Sequence, residues 1–371
     1  MAARPTVCLN MIVKNEAKVI ARSLASTRPF IDAWAIVDTG SSDGTQDVIR
    51  QELRDVPGEL FERPWRDFGT NRSEALELAK GRADYTLIID ADEVLAPSPG
   101  FGLPELTLDA YQLRTEFGGV RYYRTQLVRS SLPWRYEGVL HEVLACDASF
   151  TQGKLEGLVN RPQSDGARSA DPQKYVKDAA VFEQALKREP HNTRYVFYLA
   201  QSYRDAGLDE AALVNYARRA KLGGWDEEVW YSMFQVASLL ERLARPEHEV
   251  VIAYLDAHQF RPQRAESLCE LARYLRTKKK FALAYVFARQ AADTPMPSDT
   301  LFVHEGTYSW RARDELSIAA YYVGKHEEAI TLTTALLDGA TLPEAERARV
   351  MKNREFSLNA LKPNQKGTAG G

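Results

Sequence analysis

The stretch Tyr85-Thr86-Leu87-Ile88-Ile89-Asp90-Ala91-Asp92-Glu93 constrains this chain most, because an apolar run stops there against three carboxylates. An uninterrupted apolar run suits a strand buried on both faces, which puts Asp90, Asp92 and Glu93 at its C-terminal edge. Open α/β sheets bind ligands at that edge. Clustered carboxylates repel one another and are costly to desolvate, so a hard divalent cation is their natural partner. Mg²⁺ or Mn²⁺ would keep some waters and draw further ligands from phosphates, which points to a nucleotide or diphosphate in the same cleft. Alone, an Asp-x-Asp is more often a solvated acidic turn, and the rest of the chain decides.

Around this stretch the first half alternates. Val7 to Val13 reads as a strand, followed by Lys14-Asn15-Glu16 and a helix carrying Val19, Ile20 and Leu24. Ala33 to Val37 reads as a second strand, stopped by Asp38-Thr39-Gly40-Ser41-Ser42-Asp43-Gly44-Thr45, a tight turn that caps a helix with Val48, Ile49 and Leu53 on its buried face. A strand near Glu59-Leu60-Phe61 and a helix from Asn71 to Ala79 continue the pattern, which predicts a mainly parallel sheet with helices on both faces. Asp109 to Glu116 and Val120 to Arg129 predict two strands joined at Gly118-Gly119 by a primed hairpin turn that extends the sheet.

Three motifs in this order, Met11-Ile12-Val13-Lys14-Asn15-Glu16, then Val37 to Thr45, then Ile89 to Glu93, resemble the family 2 glycosyltransferases. The resemblance covers roughly the first 160 residues. It implies an α/β glycosyltransferase A-type domain, Rossmann-like with a mixed sheet. Asp38, with Val13, Asn15 and Glu16, would line the base and ribose pocket. Asn71 and Arg72 match the family's donor-side polar pair, Asp90 and Ala91 would meet the ribose or the ion, and Asp92 would ligate the ion. A UDP-sugar is the expected donor, but many members carry a second Asp where this chain has Thr39, so the base stays open. Taken singly, Asp38 and Asp43 suit a turn and a cap, and Arg72 suits a solvated helix face.

A subset of these transferases has a stretch similar to Gly138-Val139-Leu140-His141-Glu142, and the resemblance gives His141 the role of metal ligand. An imidazole ligand favours Mn²⁺ over Mg²⁺. Transfer with inversion needs a carboxylate to take the acceptor's proton, for which Glu142 and Glu137 are the candidates. In an extended segment these two face opposite sides, so one of them faces the cleft. Glu93 is the next candidate.

Arg161 to Pro172 is polar, with Pro and Gly, and reads as a loop at a domain boundary or over the donor cleft. Beyond it, Tyr195, Leu199, Ala200, Tyr203, Gly207, Ala211, Tyr216 and Ala220 resemble a tetratricopeptide unit. Echoes follow at Leu271 to Ala288 and at Ala319 to Ile330. The expected organisation is a catalytic domain at 1–165, an all-α tetratricopeptide-like helical repeat domain at 172–361, and a disordered tail at 362–371. The repeats are expected to bind an acceptor or protein partner, to form a homodimer, or only to brace the first domain.

Across the 371 residues the net charge is -3, so no basic field exists for a nucleic-acid backbone. Cys8, Cys146 and Cys269 lack any Cys-x-x-Cys spacing, and no apolar stretch is long enough to span a membrane. A cytoplasmic location is expected. The expected activity is that of a metal-dependent inverting hexosyltransferase acting on a glycan, peptide or protein acceptor. A transferase-like scaffold without activity is the alternative, and a nucleotidyltransferase would need a Gly-rich basic loop where Val13-Lys14-Asn15-Glu16 stands.

Overall fold

The computed structural model describes residues 4–163, 165–166 and 171–362. The expected tail beyond Lys362 and part of the loop expected at 161–172 lie outside them. The chain divides into two compact units, Met1–Asn215 and Tyr216–Gly371.

The first unit opens with β1 (Val7–Val13), α1 (Ile20–Thr27), β2 (Ala33–Asp38), α2 (Thr45–Glu52), β3 (Gly58–Glu62), α3 (Phe68–Ala79) and β4 (Tyr85–Ile88). It continues through β5 (Glu93–Pro97), β6 (Ala110–Phe117), β7 (Val120–Arg129), β8 (Trp134–Glu137), β9 (Val143–Cys146) and β10 (Gln152–Pro162). One sheet runs β3-β2-β1-β4-β7-β6-β10-β5, and β8 and β9 pair separately. Its first four strands are parallel, whereas β7 joins β4 antiparallel, so the sheet is mixed. Side chains alternate across β1: Val7, Leu9 and Met11 pack with Ile20, Leu24 and Ile49 of α1 and α2, while Cys8 packs with Ala79 of α3. Asn10, on the α3 side, is satisfied by donating to the carbonyls of Ala35 and Ala75 at 3.0 and 2.8 Å. The central strands are therefore buried on both faces, as their apolar runs require. Gly118 and Gly119 join β6 to β7 with φ of 58 and 78°, the left-handed pair a primed hairpin turn demands.

Trp134 to Val143 does not run extended. β8 ends at Glu137, which pairs with Val143 of β9, and residues 138–142 form the turn between them. The alternation expected to separate Glu137 from Glu142 therefore does not apply, because the chain reverses between them.

Strands give way to helices after Pro162 with α4 (Lys174–Arg188), α5 (Thr193–Asp205) and α6 (Asp209–Lys221), within which the two units part. The first helices thus count with the sheet. The second unit holds α7 (Asp226–Arg242), α8 (Glu247–Phe260), α9 (Glu266–Thr277), α10 (Phe281–Asp293), α11 (Ala312–Tyr322), α12 (His326–Asp338) and α13 (Glu344–Leu361), each packed on the next. Helices α5, α7, α9 and α11 all end in a left-handed residue: Gly207, Ala244, Lys279 and Gly324. In each case the following N–H closes the last turn, as from Leu208 to the Tyr203 carbonyl at 2.8 Å and from Lys280 to that of Leu275 at 2.9 Å. The same device repeats four times, and this periodicity makes the region a stack of helical hairpins. The α7–α8 pair had no counterpart in the repeats read from the sequence. No helix among the described residues is long and apolar enough to cross a membrane.

Candidate active site

The C-terminal ends of β1, β2 and β4 meet at one edge of the sheet. At the end of β2, Asp38 is buried, and its Oδ1 accepts from the N–H groups of Gly40 and Ser41, both at 2.8 Å. Its Oδ2 is buried and has no hydrogen-bond partner among the described residues. Such an atom marks a place for a donor from outside the chain. Thr39 spends its hydroxyl on the carbonyl of Val13 at 3.0 Å, tying β2 to β1, which is how this chain uses the position where many relatives of the resembled family carry Asp.

The two flanking loops are zipped together. Asn15, itself left-handed at φ 58°, accepts from the Ser42 N–H at 2.9 Å, and its own N–H reaches Ser41 Oγ at 2.9 Å. The Glu16 N–H donates to Thr45 Oγ1 at 2.8 Å, and the Ala17 N–H to Asp43 at 3.0 Å. Asn71 is fully buried and uses its amide on the backbone of residues 64–66: it accepts from the Arg66 N–H and donates to the Pro64 carbonyl.

Arg72 projects from α3 into the carboxylates. It pairs with Asp90 at 2.6 Å and with Glu142, also at 2.6 Å, and lies over the Tyr136 ring at 5.6 Å. Burial works against its charge, but Asp90, Tyr136 and Glu142 more than restore it and raise its pKa above the ordinary value. A second arginine, Arg124 of β7, pairs with the buried Glu93 and reaches Asp90 at 3.7 Å. Burial also disfavours the Asp90 charge, yet the two guanidinium groups hold its pKa below the usual carboxylate range. Glu93 turns back to accept from the Asp90 N–H at 3.1 Å and from Gln126 at 3.3 Å. It acts as a brace on the strand end.

Asp92 differs from both neighbours. Burial first, then the charges of Asp90 and Glu93, push its pKa upward, and it has no ion pair among the described residues. Ala91 between the two is buried. Glu142 is largely enclosed beside Arg72, whereas Glu137 is half exposed and ion-paired with Arg135. His141 is left-handed at φ 47°, and its ring stacks on Tyr198 at 4.2 Å with 4° between the planes. Among the described residues no three His, Cys, Asp or Glu side chains converge at metal-ligand spacing.

Asp90, Arg72 and Glu142 are thus brought together, with Asp92 next in the chain. Arg124 and Gln126 were missed from the sequence. Their spacing along β7 carries no signal, because it is the antiparallel docking of β7 on β4 that carries Arg124 to the carboxylates.

Residues 8–100 match the family model described as Glycosyl transferase family 2. A TPR repeat-containing protein of Synechococcus elongatus is 32% identical over 152 residues, which cover 38% of this chain and 36% of that protein. The SPbeta prophage-derived glycosyltransferase SunS of Bacillus subtilis is 23% identical over 233 residues, 58% of this chain and 53% of that protein. The matched regions therefore span about half or less of these relatives' lengths. Among solved structures, the MamA protein aligns over 51% of this chain and 83% of its own, with 14% identity and a TM-score of 0.35. The segment that matches the glycosyltransferase family 2 model lies in an α/β unit with a mixed sheet. A region of helical hairpins follows it.

Proposed function

We propose that this protein is an inverting, metal-dependent glycosyltransferase that moves a hexosyl group from a UDP-sugar to a hydroxyl of a glycan, peptide or protein. The observation that carries this reading is the pairing of a buried, unpartnered acceptor at Asp38 with the Asp90–Arg72–Glu142 cluster at the same sheet edge. Asp38 Oδ2 would accept an N–H or O–H from the base or ribose, with Val13, Asn15 and Glu16 forming the wall beside it. The chemistry of the donor set fits a divalent ion. Asp92 is a carboxylate whose burial and acidic neighbours leave it in need of positive charge, and a Mg²⁺ or Mn²⁺ ion of this type takes one or two carboxylates plus phosphate oxygens. Asp92 would hold it, with His141 as the proposed nitrogen ligand. When bound, the ion would neutralise charge on the departing diphosphate.

In the transfer itself the acceptor oxygen bonds to the anomeric carbon, and the bond from that carbon to the diphosphate breaks, its electron pair leaving with the nucleotide. The acceptor's proton goes to Glu142, which is oriented by its ion pair with Arg72. Exposed Glu137 is the weaker candidate for this role. We further place the catalytic domain at 1–165, the helical repeats that engage the acceptor or a partner at 172–361, and the protein in the cytoplasm.

Calorimetry with UDP alone, Mn²⁺ alone and both together tests the reading. UDP is expected to bind at least 10-fold tighter with Mn²⁺, and Asp92→Ala is expected to abolish that coupling. Equal UDP affinity in chelator, unchanged by the substitution, would show the metal assignment to be wrong.

A further inference from the structure

Helix α5 lies outside the segment that matches the glycosyltransferase family, yet it grips the turn that carries Glu142 at two points. Arg194 donates through Nε at 3.0 Å and through Nη2 at 2.7 Å to the carbonyl of His141. The Tyr198 ring lies flat against the His141 imidazole, with Phe182 of α4 stacked at 6.1 Å from each. These contacts converge on a residue with a side chain held at φ 47°, a conformation that persists only where the surroundings over-determine it. The next residue is Glu142, whose carboxylate meets Arg72 at 2.6 Å, and Arg72 in turn meets Asp90.

A chain of contacts therefore runs from α5 through the His141 backbone to Glu142, Arg72 and Asp90. We propose that Arg194 and Tyr198 are positioning residues for glycosyl transfer. By fixing His141 in its left-handed conformation, they hold the Glu142 carboxylate on Arg72 and toward the sheet edge. Without them the peptide between 141 and 142 would be free to rotate, and Glu142 would swing away from the cleft. On this view the first helical hairpin completes the active site, as well as offering a surface to partners. The proposal rests on the reading of Glu142 as the proton acceptor.

Two measurements on the full chain test it. The first is hydrolysis, with Mn²⁺, of whichever of UDP-glucose, UDP-galactose and UDP-N-acetylglucosamine the unmodified protein cleaves fastest, water serving as acceptor. The second is amide hydrogen exchange of residues 138–142. At saturating donor and Mn²⁺, Arg194→Ala is expected to lower kcat about 10-fold or more, since the clamp holds the turn that carries Glu142, whereas KM for the donor changes only as far as His141 shares in holding the ion. Exchange at 138–142 should rise by a similar factor. Arg194→Lys, which keeps one donor to the carbonyl, should recover part of both effects. Glu142→Gln should be slow, and adding Arg194→Ala to it should cost little more, because both act through one group. Lys187→Ala on the exposed face of α4 serves as the control and should match the parent. A slow Glu142→Gln beside a parental rate in Arg194→Ala overturns the clamp alone. A parental rate in Glu142→Gln, or no hydrolysis by the unmodified protein, overturns the reading beneath it and the clamp with it.

Discussion

At Asp92, burial and the charges of Asp90 and Glu93 all act in the same direction, so the folded protein binds a proton there more readily than the unfolded chain does. Between the ordinary carboxylate value of 3.8 and the raised one, stability therefore falls as pH rises. Asp92→Asn removes that loss. In chelator at pH 7 its Tm is expected to exceed the parent's, and the two should converge below the ordinary carboxylate pKa. Mn²⁺ added to UDP should raise the parent's Tm beyond what UDP alone gives and add nothing to the variant's, since a ligand stabilises the folded state in proportion to its affinity. Thermal melts across pH check both statements, and a variant less stable than the parent at pH 7 would show Asp92 to be a structural carboxylate. Asp90 behaves oppositely, since Arg72 and Arg124 keep it ionised. Asp90 and Asp92 were read together from one motif, but their opposite electrostatics depend on Arg124, which approaches from a strand distant in sequence.

At the scale of elements, the helical hairpins show how a repeat hides. Two of the four left-handed helix ends carry glycine, at Gly207 and Gly324, and these were legible. The other two carry Ala244 and Lys279, which adopt the same φ at a steric cost of roughly 1–2 kcal/mol. The α7–α8 pair closed by Ala244 was the one with no recognisable signature. Ala244→Gly and Lys279→Gly are each expected to stabilise by about 0.5–1 kcal/mol, the steric gain being partly offset by glycine's greater freedom when unfolded. Gly207→Ala should destabilise by about 1–2 kcal/mol. Urea midpoints measure all three, and a loss in Ala244→Gly would mean that its methyl group contributes more through packing than its conformation costs.

At the scale of the whole chain, the second unit contains its own ionic core. Arg264 is fully buried over the Trp230 ring at 3.7 Å, and it pairs with Glu266 at 2.9 Å and Asp299 at 3.2 Å while donating to the carbonyls of Leu301 and Phe302. Tyr308 adds a hydrogen bond to Glu266 at 2.5 Å, so the segment between α10 and α11 is pinned onto α9. Removing one partner from a buried network leaves the opposite charges uncompensated, and Arg264→Ala should cost about 3–5 kcal/mol. Because the partners all lie within Tyr216–Gly371, that fragment is expected to fold alone, with strong helical circular dichroism and a cooperative melt that Arg264→Ala shifts downward. A fragment that melts without cooperativity would show that the unit depends on the first one.

The sequence by itself determined the alternation of strands and helices, the sheet edge carrying Asp38, Asp90 and Asp92, and the change to helical hairpins. Each of these follows from local periodicity and turn chemistry. Only the tertiary structure decided which cations neutralise which carboxylates, that the turn at 138–142 separates Glu142 from Glu137, and that α5 supports His141. Those contacts join residues far apart in the chain, and the pairing of buried charges depends on how strands and helices dock, which no spacing along the sequence encodes.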